Sequence, residues 1–406
     1  MKSKTPEIIL IFSFCFILFF GMISYVTSTS PDFSEDENRV LAALPHYKRG
    51  DVFTAWSEGK LSRQLSSYFS DRLALRRQLV GMQGAIGAAL GGGASRGVAM
   101  GGDGQLATYL FDAYLSPTRR ASRSDFFLES HIAEQCAAVK RLANKLQKQN
   151  IDLCFLPAPR VVDVCAASLN YPAQPSDELM GLIKSRLTDT KNLAVIDMLS
   201  PLRWAHGRGE YVMYRTDHHW TAEGAYMAYL EIMATLSPTE KPLAREDFSA
   251  RKIENFIGTT ASRACIGGTP LCRPDVMEIW EREDDQSFIV RDGNGFEMHG
   301  FIDEKFLSGK DKYGALLGGT RNYLEIFKTD KNGAHVAGRP HLLVVKDSFA
   351  NSVIPLLARH FDITAVHLSG GMTDVSKYAR ECGADAVLIL YNLENMVTAD
   401  HLNRVK

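Results

Sequence analysis

The chain has 406 residues, 45% hydrophobic and 23% charged, with a formal net charge of −1. That length holds one large domain or two modest ones with ample core, and the balanced charge offers no polyanion-binding signal, so no nucleic-acid partner is expected. The seven cysteines form no Cys-x-x-Cys pair and no Cys/His spacing of the kind that holds zinc, which argues against a thiolate metal site.

In chain order, residues 8–26 are almost wholly apolar, with Lys2 and Lys4 ahead of them. As a helix they would reach roughly 29 Å, close to the thickness of a bilayer core. The preceding positive charge places residues 1–7 in the cytoplasm and everything after the segment outside. Ser28 and Ser30 would suit a cleaved signal peptide; the length and the phenylalanine content favour an uncleaved anchor. Residues 27–104 read as a stalk and helical region. Phe33 to Arg39 look like a helix start, and Leu61, Leu65, Tyr68, Phe69, Leu73 and Leu75 predict one amphipathic helix over about 56–80. Residues 84–104, with Gly91-Gly92-Gly93, read as a loop. No Gly-Lys-Ser/Thr follows, so no nucleotide site is expected.

Residues 105–406 alternate helix and strand, which implies a parallel sheet with helices on both faces. Helices are expected at about 130–149, 176–188 and 223–236, and strands at 151–156 and 193–197. Residues 240–340 break the rhythm and read as an inserted mixed region, with a hairpin at 288–290 and 296–298. Three strands then follow, 341–346, 363–368 and 386–390, the first and second each leading into a helix. Cys265 and Cys272 flank a Gly-Gly-Thr-Pro turn and either close a small disulfide or stay unpaired.

Two stretches carry the chemistry. Asp217-His218-His219-Trp220-Thr221 puts a carboxylate close to imidazoles, the arrangement that orients a general base. Ser348 follows a strand and precedes a helix, where backbone N–H groups favour an oxyanion. Parallel sheets bind ligands outside the carboxyl ends of their strands, and Ser348, Gly370 and Asn392 all fall there. The pattern predicts Ser348 as nucleophile, His219 as base and Asp217 as its orienting acid. Ser348, Gly370 and Asn392 are the predicted oxyanion donors, with Trp220, Asn351 and Tyr391 as candidate substrate contacts. Taken singly, the serine reads as a helix cap, Trp220 as core, and Asp347 as the cap of its turn. Asp217, His218 and His219 could instead face a metal ion, but adjacent histidines rarely aim at one ion, and no metal is expected.

These residues resemble the SGNH hydrolases, here with the serine block after the Asp–His block, so a circularly permuted order is implied. The chain is more similar still to the DHHW family and the alginate O-acetylation proteins. Phe33 to Arg39, Asp217 to Thr221 and Lys346-Asp347-Ser348-Phe349-Ala350-Asn351 carry that resemblance. It implies an SGNH-like fold, no cofactor, and ester chemistry on an acetylated cell-surface polysaccharide alongside a membrane-bound O-acyltransferase. One residue separates Asp217 from His219, a spacing the alginate acetylation proteins share, which selects His219 over His218 as the base. A glycan-binding or assembly protein without activity is the competing implication.

Overall fold

The computed structural model describes residues 8–16, 19, 32–34, 39–73, 76–90, 94–95, 97–109, 123–170, 177–267, 269–370 and 374–405. An eight-stranded sheet forms the frame: β1 (Asp152–Ala158), β2 (Leu193–Val195), β3 (Phe288–Arg291), β4 (Glu297–His299), β5 (Tyr323–Lys328), β6 (His341–Lys346), β7 (Asp362–His367) and β8 (Ala386–Asn392). Their spatial order is β4-β3-β5-β7-β6-β8-β1-β2. The five strands from β7 to β2 are mutually parallel, and β5, β3 and β4 extend the edge in antiparallel fashion. Counted from β6, the parallel strands run 2-1-3-4-5, the flavodoxin-like order.

The central strands are apolar throughout because helices cover both faces. Strand alternation then divides the core in two. Leu342, Val344, Leu388, Leu390, Cys154 and Leu156 pack with the helix Ala222–Leu236. Leu343, Val345, Val387, Ile389, Leu153 and Phe155 pack with the helices Arg123–Gln147 and Asp177–Leu187. A one-residue slip of β6 would exchange these faces, so the register of its carboxyl end is tightly held.

Residues 240–340, read as an inserted mixed region, contribute three strands to the main sheet. The expected hairpin forms as β3 and β4, pairing Val290 with Met298, and with β5 it becomes sheet edge. A separate antiparallel pair, Ser249–Phe256 with Asp275–Glu281, precedes it.

The N-terminal expectations need correction. Phe33–Ser34 and Arg39–Val40 pair as short strands rather than starting a helix. The single helix predicted over 56–80 is three: Val52–Ser57, Lys60–Asp71 and Arg76–Leu90. Gly59 adopts a left-handed conformation (φ 66°) that ends the first of them. The third runs through Gly84 to Leu90, because Gly81 and Gly84 form its packing face. A Cβ at Gly84 would come within 2.7 Å of the Ala264 carbonyl oxygen. Residues 8–16 are helical; most of the remaining predicted span lies outside the described residues, among which no helix is long and apolar enough to cross a membrane. Cys265 and Cys272 are not joined to each other by a disulfide.

Candidate active site

The Asp217–His219 stretch lies in a tight reversal ahead of the helix Ala222–Leu236. Tyr214 N–H donates to the His219 carbonyl and Thr221 N–H to that of Val212. Thr221 then caps the helix, its Oγ1 accepting from Gly224 N–H. Trp220 is fully buried beneath the turn and donates from Nε1 to Ser352 Oγ at 2.8 Å. The indole pins this loop to the segment that follows β6.

On the opposite side, β6 ends at Lys346, whose register partners are His367 on β7 and Leu390 on β8. Two residues further on, Ser348 and Asn392 stand at the same height. Asp347 caps the 3-10 turn Ser348–Ser352, accepting from Phe349 N–H at 3.0 Å, while its other oxygen accepts from Asn392 N–H and Asn395 Nδ2. Burial pushes the Asp347 carboxyl up against the pull of those donors. Ser348 is half-buried, and its N–H makes no hydrogen bond among the described residues.

The two loops meet in a continuous relay. His219 Nε2 lies 2.7 Å from Ser348 Oγ, and its Nδ1 lies 2.5 Å from Asp217 Oδ1. The same Oδ1 accepts the His219 N–H at 3.0 Å, a pairing that the one-residue spacing makes possible. With Asp217 ionised, Nδ1 carries the proton and Nε2 is left to accept from the serine hydroxyl. Asp217 is 1% exposed. Burial opposes its ionisation, but the two imidazoles, the His219 hydrogen bond and Thr259 N–H together hold its carboxyl well below the usual range.

Sequence reasoning missed the inserted region's share. Thr259 N–H and Oγ1 both donate to Asp217 Oδ2, at 2.8 and 2.9 Å. Its Oγ1 is also 2.6 Å from His218 Nδ1, which places the His218 proton there. Burial and the neighbouring His219 lower His218 to about 4, so this second imidazole is neutral near pH 7. Asp275 accepts from the N–H groups of Arg215 and Thr216 and holds the backbone leading to Asp217. Tyr313 stacks on His219 with centroids 3.9 Å apart and planes 9° apart, and its hydroxyl donates to the Ser348 carbonyl. Nothing local in the sequence marks these residues; only the order of the inserted segments brings them in.

The other predicted residues make no bond to the relay. Trp220, Asn351 and Tyr391 are at most 1% exposed, which corrects their assignment as substrate contacts. Asn351 Oδ1 accepts from Lys346 Nζ at 2.8 Å, itself buried and lowered to about 8 by desolvation. Tyr391 lies in the helix-covered core and bonds His401. Asn392 caps the helix Leu393–Thr398 through Oδ1 and donates from Nδ2 to the Ala158 carbonyl. Gly370 is exposed beyond β7, against Asn322. Neither Gly370 nor Asn392 bonds Ser348. A polar cavity of about 400 Å³ opens beside His218, lined by Thr108, Thr259, Asn392, Glu394 and Asn395 among others.

The ligand atoms of Asp217, His218 and His219 lie within 4.8 Å of one another. A cation there would displace existing bonds, because both Asp217 oxygens, both His219 nitrogens and His218 Nδ1 are engaged. Only His218 Nε2 remains, so the donor set fits a proton relay better than a metal.

The fold and site define an α/β protein with a mostly parallel sheet, in which a serine just past a strand end meets a loop-borne histidine and aspartate. Residues 161–367 match the DHHW protein family, and the chain belongs to it. It is 24% identical over 182 residues to the probable alginate O-acetylase AlgJ of Azotobacter vinelandii, covering 44% of each chain. The chain thus spans less than half the length of the curated relatives it matches. Among solved structures, it resembles Bacillus cereus PatB1 with a sulfonyl adduct (TM-score 0.60, 18% identity, covering 76% of this chain and 98% of that one). It also resembles a DHHW family protein from Eubacterium siraeum (TM-score 0.53, 18% identity, covering 67% and 87%).

Proposed function

We propose that this protein is an extracytoplasmic serine O-acetyltransferase or acetylesterase acting on a cell-surface polysaccharide. The relay of Ser348 Oγ, His219 and Asp217, at 2.7 and 2.5 Å, carries the proposal. Ser348 attacks the acetyl carbonyl while His219 takes its proton and Asp217 holds the resulting imidazolium. The unbonded Ser348 N–H supplies one oxyanion donor, worth about 3 kcal/mol in the transition state. Gly370 N–H and the second amide proton of Asn392 complete the proposed hole. The leaving alkoxide takes the proton from His219; a sugar hydroxyl or water then attacks the acetyl-serine, giving its proton to His219, which returns it to the departing Ser348 Oγ.

The 400 Å³ cavity beside His218 supports the glycan reading, since Thr108, Thr259, Asn395 and Glu394 offer hydroxyls, an amide and a carboxylate to a polyol. The likeness to alginate O-acetylases points to acetylated polysaccharide as substrate. By the same resemblance, a membrane-bound O-acyltransferase is the proposed source of acetyl groups. The 2-1-3-4-5 order counted from β6 supports a circularly permuted SGNH arrangement with the serine strand as its natural first strand. The apolar segment at 8–26 supports membrane anchoring with the domain outside.

Hydrolysis of p-nitrophenyl acetate by the full chain tests the chemistry, with acetyl transfer to an oligosaccharide read alongside. Equal rates for wild type and Ser348→Ala would remove Ser348 as nucleophile. A Ser348→Ala strain with unchanged polysaccharide acetylation would favour a glycan-binding role instead.

A further inference from the structure

The helices before the sheet invert the usual arrangement of apolar side chains. On the helix Arg76–Leu90, the glycine face turns inward against residues 264–266. Leu79, Met82, Ile86 and Leu90 lie 50%, 59%, 54% and 84% exposed. At about 100° per residue these four positions fall within one stripe about 80° wide. Phe53 and Trp56, 72% and 60% exposed, add an aromatic pair with centroids 5.8 Å apart. Among the described residues from 40 onward, eleven of the fourteen large exposed hydrophobics lie within 40–90, so the feature belongs to this arm.

Charge and chain position identify the occupant. Residues 40–90 contain seven lysines and arginines against three acidic residues, whereas the whole chain carries −1. A cationic, apolar-striped arm suits an anionic lipid surface. The helix is 15 residues long, about 22 Å, too short to cross a bilayer and long enough to lie along one. Thirteen residues before position 40, the chain leaves the apolar segment 8–26, so a membrane holding that segment already lies within reach. Tryptophan settles at the lipid–water boundary, and phenylalanine with tryptophan marks the apolar face of interfacial helices.

We infer that the helices Val52–Ser57, Lys60–Asp71 and Arg76–Leu90 form an interfacial arm, laying the Leu79–Met82–Ile86–Leu90 stripe and the Phe53–Trp56 pair into the surface of an anionic phospholipid bilayer. This rests on the proposed anchoring and goes beyond it. An anchor alone would leave the domain on a free tether. The arm docks against the domain through Gly81 and Gly84, and so sets the domain's orientation to the bilayer.

The full chain is reconstituted with vesicles of phosphatidylglycerol and phosphatidylcholine, with chain-brominated lipid as quencher. In a Trp56→Phe/Trp204→Phe background, Ile86→Trp adds emission that brominated lipid should quench at least about twofold. In the wild-type chain, the emission of Trp204, 63% exposed on the domain and obtained by difference from Trp204→Phe, should be unaffected. Co-flotation with vesicles but no quenching at position 86 overturns the arm and leaves the anchor standing. Failure to co-float overturns both. A detergent-solubilised dimer that the four-fold change Leu79→Gln/Met82→Gln/Ile86→Gln/Leu90→Gln dissociates would assign the stripe to a second copy instead.

Discussion

The two halves of the candidate site are built on different principles. The Ser348 half is the carboxyl end of a central parallel strand, paired on both sides and buried on both faces. Its position follows from the sheet. The Asp217–His219 half is a loop, shaped by segments far along the chain: Gly258 and Thr259 against the acid, Asp275 on the backbone before it, and Tyr313 on the imidazole. A nucleophile can be carried by repetitive structure, whereas its base needs a dedicated scaffold. Damage to the sheet half should remove chemistry outright, and damage to the inserted half should misplace it.

The largest effect is expected on the sheet side. Ser348→Ala should lower p-nitrophenyl acetate turnover by about 10⁴-fold or more and abolish fluorophosphonate labelling, with an unchanged circular dichroism spectrum. Next comes Gly258→Ala on the inserted side. The added Cβ would sit 2.2 Å from Asp217 Cβ and 2.4 Å from its Oδ2. The acid must move, and kcat should drop towards the roughly 10⁴-fold loss that follows a disabled orienting acid. Wild-type kcat in that variant would break the comparison.

Thr259→Val deletes the hydroxyl that bonds both Asp217 and His218 but keeps the N–H. An unsatisfied buried partner costs about 1–3 kcal/mol, so kcat/KM should decrease by about 10- to 100-fold. Tyr313→Phe retains the stack and removes the hydroxyl's bonds to the Ser348 carbonyl and to Ser352 Oγ; a decrease of a few-fold is expected, in kcat rather than KM.

The smallest effect concerns stability. His218 is lowered to about 4 from 6.5, so the unfolded chain binds more protons between those values. Its contribution is present above pH 6.5 and is lost as pH falls towards 4. Asp217, also depressed, adds a further loss at lower pH, through the ordinary carboxylate range and below. Thermal melts of His218→Gln should show a shallower decline in Tm between pH 6.5 and 4 than wild type. An unchanged slope would mean that His218 does not titrate as its surroundings imply.

Much of the frame was legible because its signals are local. The apolar runs 341–346, 363–368 and 386–390, each with turn residues after it, formed β6, β7 and β8, the last two with ends shifted by one or two residues. The N-terminal helices were harder, since an outward apolar stripe has the same periodicity as an inward one. Glycine in the helix Arg76–Leu90 suggested a loop, when its use there is close packing against the Ala264 carbonyl. Trp220, Asn351 and Tyr391 suggested ligand contacts, because sequence reports chemical type but not depth.

Sequence by itself determined the strand ends, the one-residue spacing of acid and base and the serine turn, since each depends on neighbours within a few residues. Tertiary structure alone decided that His219, 129 positions from Ser348, meets it at 2.7 Å. It also decided that Thr259 and Tyr313 complete the support. Those contacts are fixed by sheet register and by the packing of an inserted region, and neither leaves a periodic trace in the chain. The closely packed interior admits few arrangements of these segments, and that restriction holds a loop-borne base against a strand-borne nucleophile.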